Sequence, residues 1–140
     1  MSAPPEQLAA AAGRWLRFAT EDLEAAQALR SAPEVAPRHV ATLAQQRAEK
    51  AVKAGLVLLG VEPPRTHNLE LLVDLLPADW RVHGSTADLA QLTQWLVESR
   101  YPGEWPETLS SDAAQALVDA EAVLAAMTAD LRTRGVTPAA

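Results

Sequence analysis

Leu43-Ala44-Gln45-Gln46-Arg47-Ala48-Glu49-Lys50-Ala51-Val52-Lys53-Ala54-Gly55-Leu56 is the stretch on which the fold turns. Leu43, Ala44, Ala48, Ala51, Val52 and Gly55 recur at spacings of three and four, so on a helix they share one side. The other side is densely polar. It carries Lys50 and Lys53, the only lysines in the chain, three residues apart. Gln46, Lys50 and Lys53 form one stripe, with Arg47 beside it. The pattern predicts a long helix from about Arg38 to Leu59, stopped by Gly60. Its small apolar residues let neighbouring helices approach closely.

Working outward, the chain before this helix reads as another. Pro5 suits a first helical position, and Trp15, Leu16, Ala19, Leu23, Ala26 and Leu29 mark an inner face as far as Arg30. Pro33 and Pro37 make the connection between the two helices extended. After Gly60, Pro63 and Pro64 stiffen a second connection. Thr66 is the expected N-cap of a short helix with Leu69, Leu72, Val73 and Leu76 inward, ended by Pro77. A loop from Ala78 to Ser85 follows, and Thr86 is expected to start a fourth helix built on Leu89, Leu92, Trp95 and Leu96. Arg100-Tyr101-Pro102-Gly103-Glu104-Trp105-Pro106 is a hard stop. Ser110, Ser111 and Asp112 are cap candidates for a last helix to about Arg132, with Ala113, Leu117, Ala120, Leu124, Met127 and Leu131 inward. The expected architecture is all-α, an antiparallel up-and-down bundle of four to five helices in one domain. Residues 14–132 form its core, and residues 1–4 and 135–140 are tails.

Composition agrees with a helical bundle and narrows the chemistry. The 140 residues are 49% apolar, much of it alanine, and only 4% aromatic, which favours helix over strand. Cysteine is absent, which excludes disulfides, thiolate metal sites and a cysteine nucleophile. The net charge of −6 argues against broad DNA or nonspecific nucleic-acid binding, yet permits a small basic pocket. No stretch approaches the roughly 18 apolar residues of a membrane helix and no basic leader opens the chain, so a soluble cytoplasmic protein is expected. His39, His67 and His83 are far apart and match no metal-ligand spacing. There is no G-x-S-x-G turn and no phosphate-cradling glycine loop, so no cofactor is expected.

Four pieces occur in order along the chain. They are Ala19-Thr20-Glu21-Asp22-Leu23-Glu24-Ala25-Ala26, then Gln45-Gln46-Arg47-Ala48-Glu49-Lys50-Ala51-Val52-Lys53-Ala54, then Pro64-Arg65-Thr66-His67-Asn68-Leu69, and finally Arg100-Tyr101-Pro102-Gly103. Together they resemble the HEPN family (higher eukaryotes and prokaryotes nucleotide-binding), over roughly residues 14–132. The resemblance implies a helical domain that pairs as a homodimer. It also implies one of the family's roles: nucleotide- or RNA-binding module, ribonuclease toxin of a toxin–antitoxin pair, or partner of a minimal nucleotidyltransferase. The family's ribonucleases carry an Arg followed by a His after four to six residues. No histidine here has an Arg at that distance before it, and Arg100 is followed there by Trp105, Pro106 and Glu107. The ribonuclease reading is weakened, and no catalytic residue is assigned.

The candidate phosphate- or nucleotide-binding residues are Gln46, Arg47, Lys50, Lys53, Arg65, His67, Arg100 and Tyr101. Lysine offers phosphate a point charge and arginine a fork of donors. The plain reading of the lysine stripe is a solvated face with a weak Glu49–Lys53 pair, worth about 0.2–0.5 kcal/mol. His67 and Arg65 gain from a helix start, where free N–H groups attract anions, though Thr66 and His67 equally suit local capping. Arg100 either meets the last carbonyls of its helix or completes an anion pocket with the lysines. Trp80 and Trp105, both in loops, are candidates for a dimer surface, and an oligomerisation scaffold without ligand is the plainest functional alternative.

Overall fold

The computed structural model describes residues 3–100, 102 and 105–138, without the side chains of residues 99 and 100. Its α-helices are α1 Pro5–Arg30, α2 Pro37–Leu58, α3 Leu69–Asp74, α4 Leu89–Arg100 and α5 Ser110–Arg132, with a short 3-10 turn at Arg81–Gly84. No strand occurs among the described residues. The all-α bundle is as expected, and α1, α2 and α5 begin and end within a residue of the expected places.

Helix α2 is the axis. Helices α1, α3, α4 and α5 all pack on it, whereas α1 barely touches α5. Leu8 of α1 reaches Gly60 just beyond α2, and Asp22 pairs with Lys50, so α1 runs against α2. Glu98 near the end of α4 lines the same hollow as Pro37 and Arg38 at the start of α2, so α4 also runs against it. Val40 and Ala113 line one hollow at one end, while Gly55 meets Met127 at the other, so α5 runs with α2. The long helices therefore alternate in direction.

Because four helices surround it, α2 buries more than an apolar stripe. Ala41, Ala44, Ala48, Ala51, Val52, Ala54 and Leu56 are sealed in, and so are Gln45, Arg47 and Glu49. The expectation of a solvated polar face is corrected here: the segment before α3 and the edges of α1 and α5 cover most of it. Close packing is tightest at Gly55. A Cβ built there would lie 2.7 Å from Met127 Cε and 2.8 Å from Trp80 Cζ3. Trp80 is thus core, 3% exposed, and not part of a dimer surface. Arg134 stacks over its ring at 4.4 Å. Trp105 is exposed.

The helix ends account for the loops. Gly60 adopts φ +73°, a conformation costly for any other residue. It lets Val61 N–H bond Leu56 O and Gly60 N–H bond Val57 O, closing α2. Three caps differ from expectation, the third being α5, whose N-cap is Leu109 and not Ser110, Ser111 or Asp112. Asn68, not Thr66, caps α3: its side chain accepts from Leu71 N–H, while Thr66 Oγ1 accepts from Asn68 N–H. Asp88, not Thr86, starts α4, accepting from Gln91 N–H. At α5 Asp112 accepts from Leu109 N–H at 2.8 Å. Among the described residues no helix is long and apolar enough to cross a membrane.

Candidate functional site

The site grows from a turn-back of the chain. Beyond Gly60 the proline-stiffened segment runs back along α2, bringing His67 level with Gln45 and Glu49. The distance retraced from Leu59 to Glu49 is about 15 Å of helix at 1.5 Å per residue. Gln45 Nε2 donates to the carbonyl of His67 at 3.1 Å and to Glu49 Oε1 at 3.1 Å. His67 Nδ1 contacts Glu49 Oε1 at 2.7 Å, and Lys53 Nζ donates to Glu49 Oε2 at 2.9 Å. Both carboxylate oxygens of Glu49 are thus engaged from two elements. On the far side, Leu69 N–H donates to Thr93 Oγ1, fixing the start of α3 to α4.

Burial separates the members. The side chains of Glu49 and Lys53 are only 11% and 12% exposed, but that of His67 is 53% exposed. Burial by itself raises the Glu49 pKa. Hydrogen bonds from Lys53, Gln45 and His67, with the charge of Lys53, outweigh that and hold the carboxyl below its ordinary range. Glu49 is therefore an ionised, oriented carboxylate beneath a half-open imidazole. Arg65 is exposed two residues away and makes no hydrogen bond or ion pair among the described residues.

Of the residues singled out in the sequence, Lys53 and His67 converge on one group, and Arg65 adjoins them. Lys50 turns the other way. Its Nζ bonds Asp22 at 2.6 Å and lies 5.9 Å from the Phe18 ring. Gln46 is half-buried beside it. Arg47 is sealed in at 3% exposure; its Nε and Nη1 have no partner, and Glu121 of α5 is the carboxylate that acts on it. Burial lowers its pKa, with Glu121 opposing. The backbone of Arg100 ends α4 near Arg38, which is twelve residues, or about 18 Å, along α2 from Lys50. The side chain of Arg100, and Tyr101 as a whole, lie outside the described residues.

Two members were missed in the sequence. Glu49 read as half of a surface ion pair, and Gln45 as part of the polar face. The visible signal was their spacing: Gln45, Glu49 and Lys53 follow one another at intervals of four. Among the described residues no cluster of histidine and carboxylate groups is placed to hold a metal ion.

With this geometry in place, comparison with known proteins decides the family. The HEPN domain model matches residues 12–130. The chain belongs to the HEPN family. Neither a curated protein nor a solved structure matches it. Membership makes this HEPN domain a module of the nucleotide-binding or ribonuclease type, and the polar cluster lies well inside the matched span.

Proposed function

We propose that this HEPN domain is a nucleotide- or RNA-phosphate-binding module, acting in the cytoplasm beside a minimal nucleotidyltransferase, with its site where the chain turns back from α2 into α3. The observation that carries the reading is the His67 ring. It is more than half exposed, yet anchored at 2.7 Å to a buried carboxylate that also holds Lys53. Orienting an exposed imidazole this firmly pre-organises it for a ligand. Exposed Arg65 supplies the uncompensated positive charge that a phosphate needs, as a planar donor fork.

The proposal includes pairing as a homodimer. Phe18 supports it: it is exposed on α1, and with the open edge of the partly buried Trp15 it lines an apolar surface hollow beside Ala11 and Arg14. Isothermal titration of the full chain with ATP, GTP and a short RNA, with and without a nucleotidyltransferase, tests the ligand. Micromolar to millimolar binding that is weakened several-fold by Arg65→Ala is expected. Absence of heat with every ligand, with and without the partner, defeats it and leaves the scaffold reading.

A further inference from the structure

The inference rests on the binding reading above and concerns which part of a nucleotide His67 touches. An ionised carboxylate has no proton to give, so the hydrogen in the 2.7 Å contact between Glu49 Oε1 and His67 Nδ1 belongs to the imidazole. In the neutral ring that fixes the tautomer. With Nδ1 protonated, the neutral ring carries its lone pair at Nε2, and Nε2 is an acceptor only. No described group bonds Nε2, and the ring is 53% exposed, so this acceptor is what His67 offers to a ligand. The imidazole is also held from behind, because Gln45 Nε2 grips the His67 carbonyl.

A neutral acceptor is the wrong partner for a phosphate oxygen, which is itself an acceptor. It is the right partner for a hydroxyl. We propose that His67 Nε2 is the sugar-reading group of the site, accepting a hydrogen bond from a ribose hydroxyl, while Arg65 takes the phosphate. Lys53 and Gln45 keep the Glu49 carboxylate in place beneath the ring. The site then selects ribonucleotides over deoxyribonucleotides, since a sugar lacking the hydroxyl leaves Nε2 without a donor.

The test is isothermal titration of the full chain at pH 8. ATP, 2′-deoxy-ATP and 3′-deoxy-ATP are compared, and UTP with 2′-deoxy-UTP. Loss of one of the hydroxyls is expected to weaken binding about five- to tenfold, equally for the two bases, and to name the hydroxyl. In His67→Asn the amide nitrogen replaces Nδ1 against Glu49, while nothing replaces Nε2. This variant is expected to unfold at an unchanged temperature, bind ATP about five- to tenfold more weakly, and lose the discrimination between sugars. In Glu49→Gln an amide can donate to Nδ1, freeing the other tautomer, and the preference for ribose is expected to shrink. Equal affinity for ribose and both deoxy forms overturns the inference but leaves the binding reading intact. So does an affinity that follows the base and not the sugar, or a His67→Asn protein that still discriminates. No binding of any nucleotide removes the binding reading itself.

Discussion

At the scale of single residues, Glu49 is the group whose state the rest depends on. Its pKa is depressed in the folded chain, so it contributes stability that is fully present above its ordinary value of 4.5 and is lost as pH falls through the folded value. Glu49→Gln is therefore expected to lower the melting temperature at pH 7, with the gap from the parent chain narrowing as pH drops below 4.5; a gap constant from pH 7 to pH 3 would contradict this. Gly55 makes a sharper case. Gly55→Ala drives a methyl toward the Trp80 ring and the end of Met127. The Met127 tip can swing aside and the indole cannot, so a loss of about 1–3 kcal/mol by urea unfolding is expected. The sequence announced neither role. Glu49 sits on the side that periodicity assigns to solvent, and nothing local tells that the segment after Gly60 doubles back to cover it. Gly55 reads as one more small residue, because the indole above it comes from a loop 25 positions on.

At the scale of elements, α2 presents an anomaly that invites substitution. Arg47 places a guanidinium in the interior with two of its nitrogens unmet, and a buried charge without full compensation is destabilising. Arg47→Met keeps the aliphatic length, and stability is expected to be unchanged or to rise by up to about 2 kcal/mol; a loss above about 1 kcal/mol would show that the charge is compensated in solution. A second element-level expectation concerns the 3-10 turn. Asp130 of α5, 3% exposed, accepts from Arg81 N–H at 2.9 Å and Val82 N–H at 3.3 Å. Asp130→Ala strands both donors and is expected to cost about 1–3 kcal/mol by denaturant unfolding. The long helices were legible because apolar recurrence over twenty residues is unambiguous and Pro5, Pro37 and Gly60 mark their limits. The short ones were less so. Thr66 and Asn68 are both good capping residues, as are Thr86 and Asp88, so local preference does not choose between them; for α3 the bond from Leu69 N–H to Thr93 Oγ1 adds a tertiary anchor at the helix start.

At the scale of the whole molecule, the proposed homodimer is tested at Phe18, which is 47% exposed with Arg17 and Lys50 against its ring. Phe18→Asp is expected to halve the mass measured by light scattering while leaving the helical circular dichroism unchanged; an undiminished mass would place the interface elsewhere. Pairing itself came from the resemblance, since one chain's periodicity marks which residues are apolar but not which of them meet a second copy. The arrangement around α2 has one further consequence. Because α1 packs on α2 more extensively than any other helix does, and scarcely on α5, its attachment rests on that one seam. Lifting α1 bares the face of α2 beneath it, so amide hydrogens of α1 and α2 are expected to exchange with solvent through one shared opening, and clearly faster exchange across the whole of α1 would contradict this. Gln45 holds the His67 carbonyl and Thr93 the start of α3, so the cluster of Glu49 and His67 is tied to α2 and α4 across the middle of the bundle.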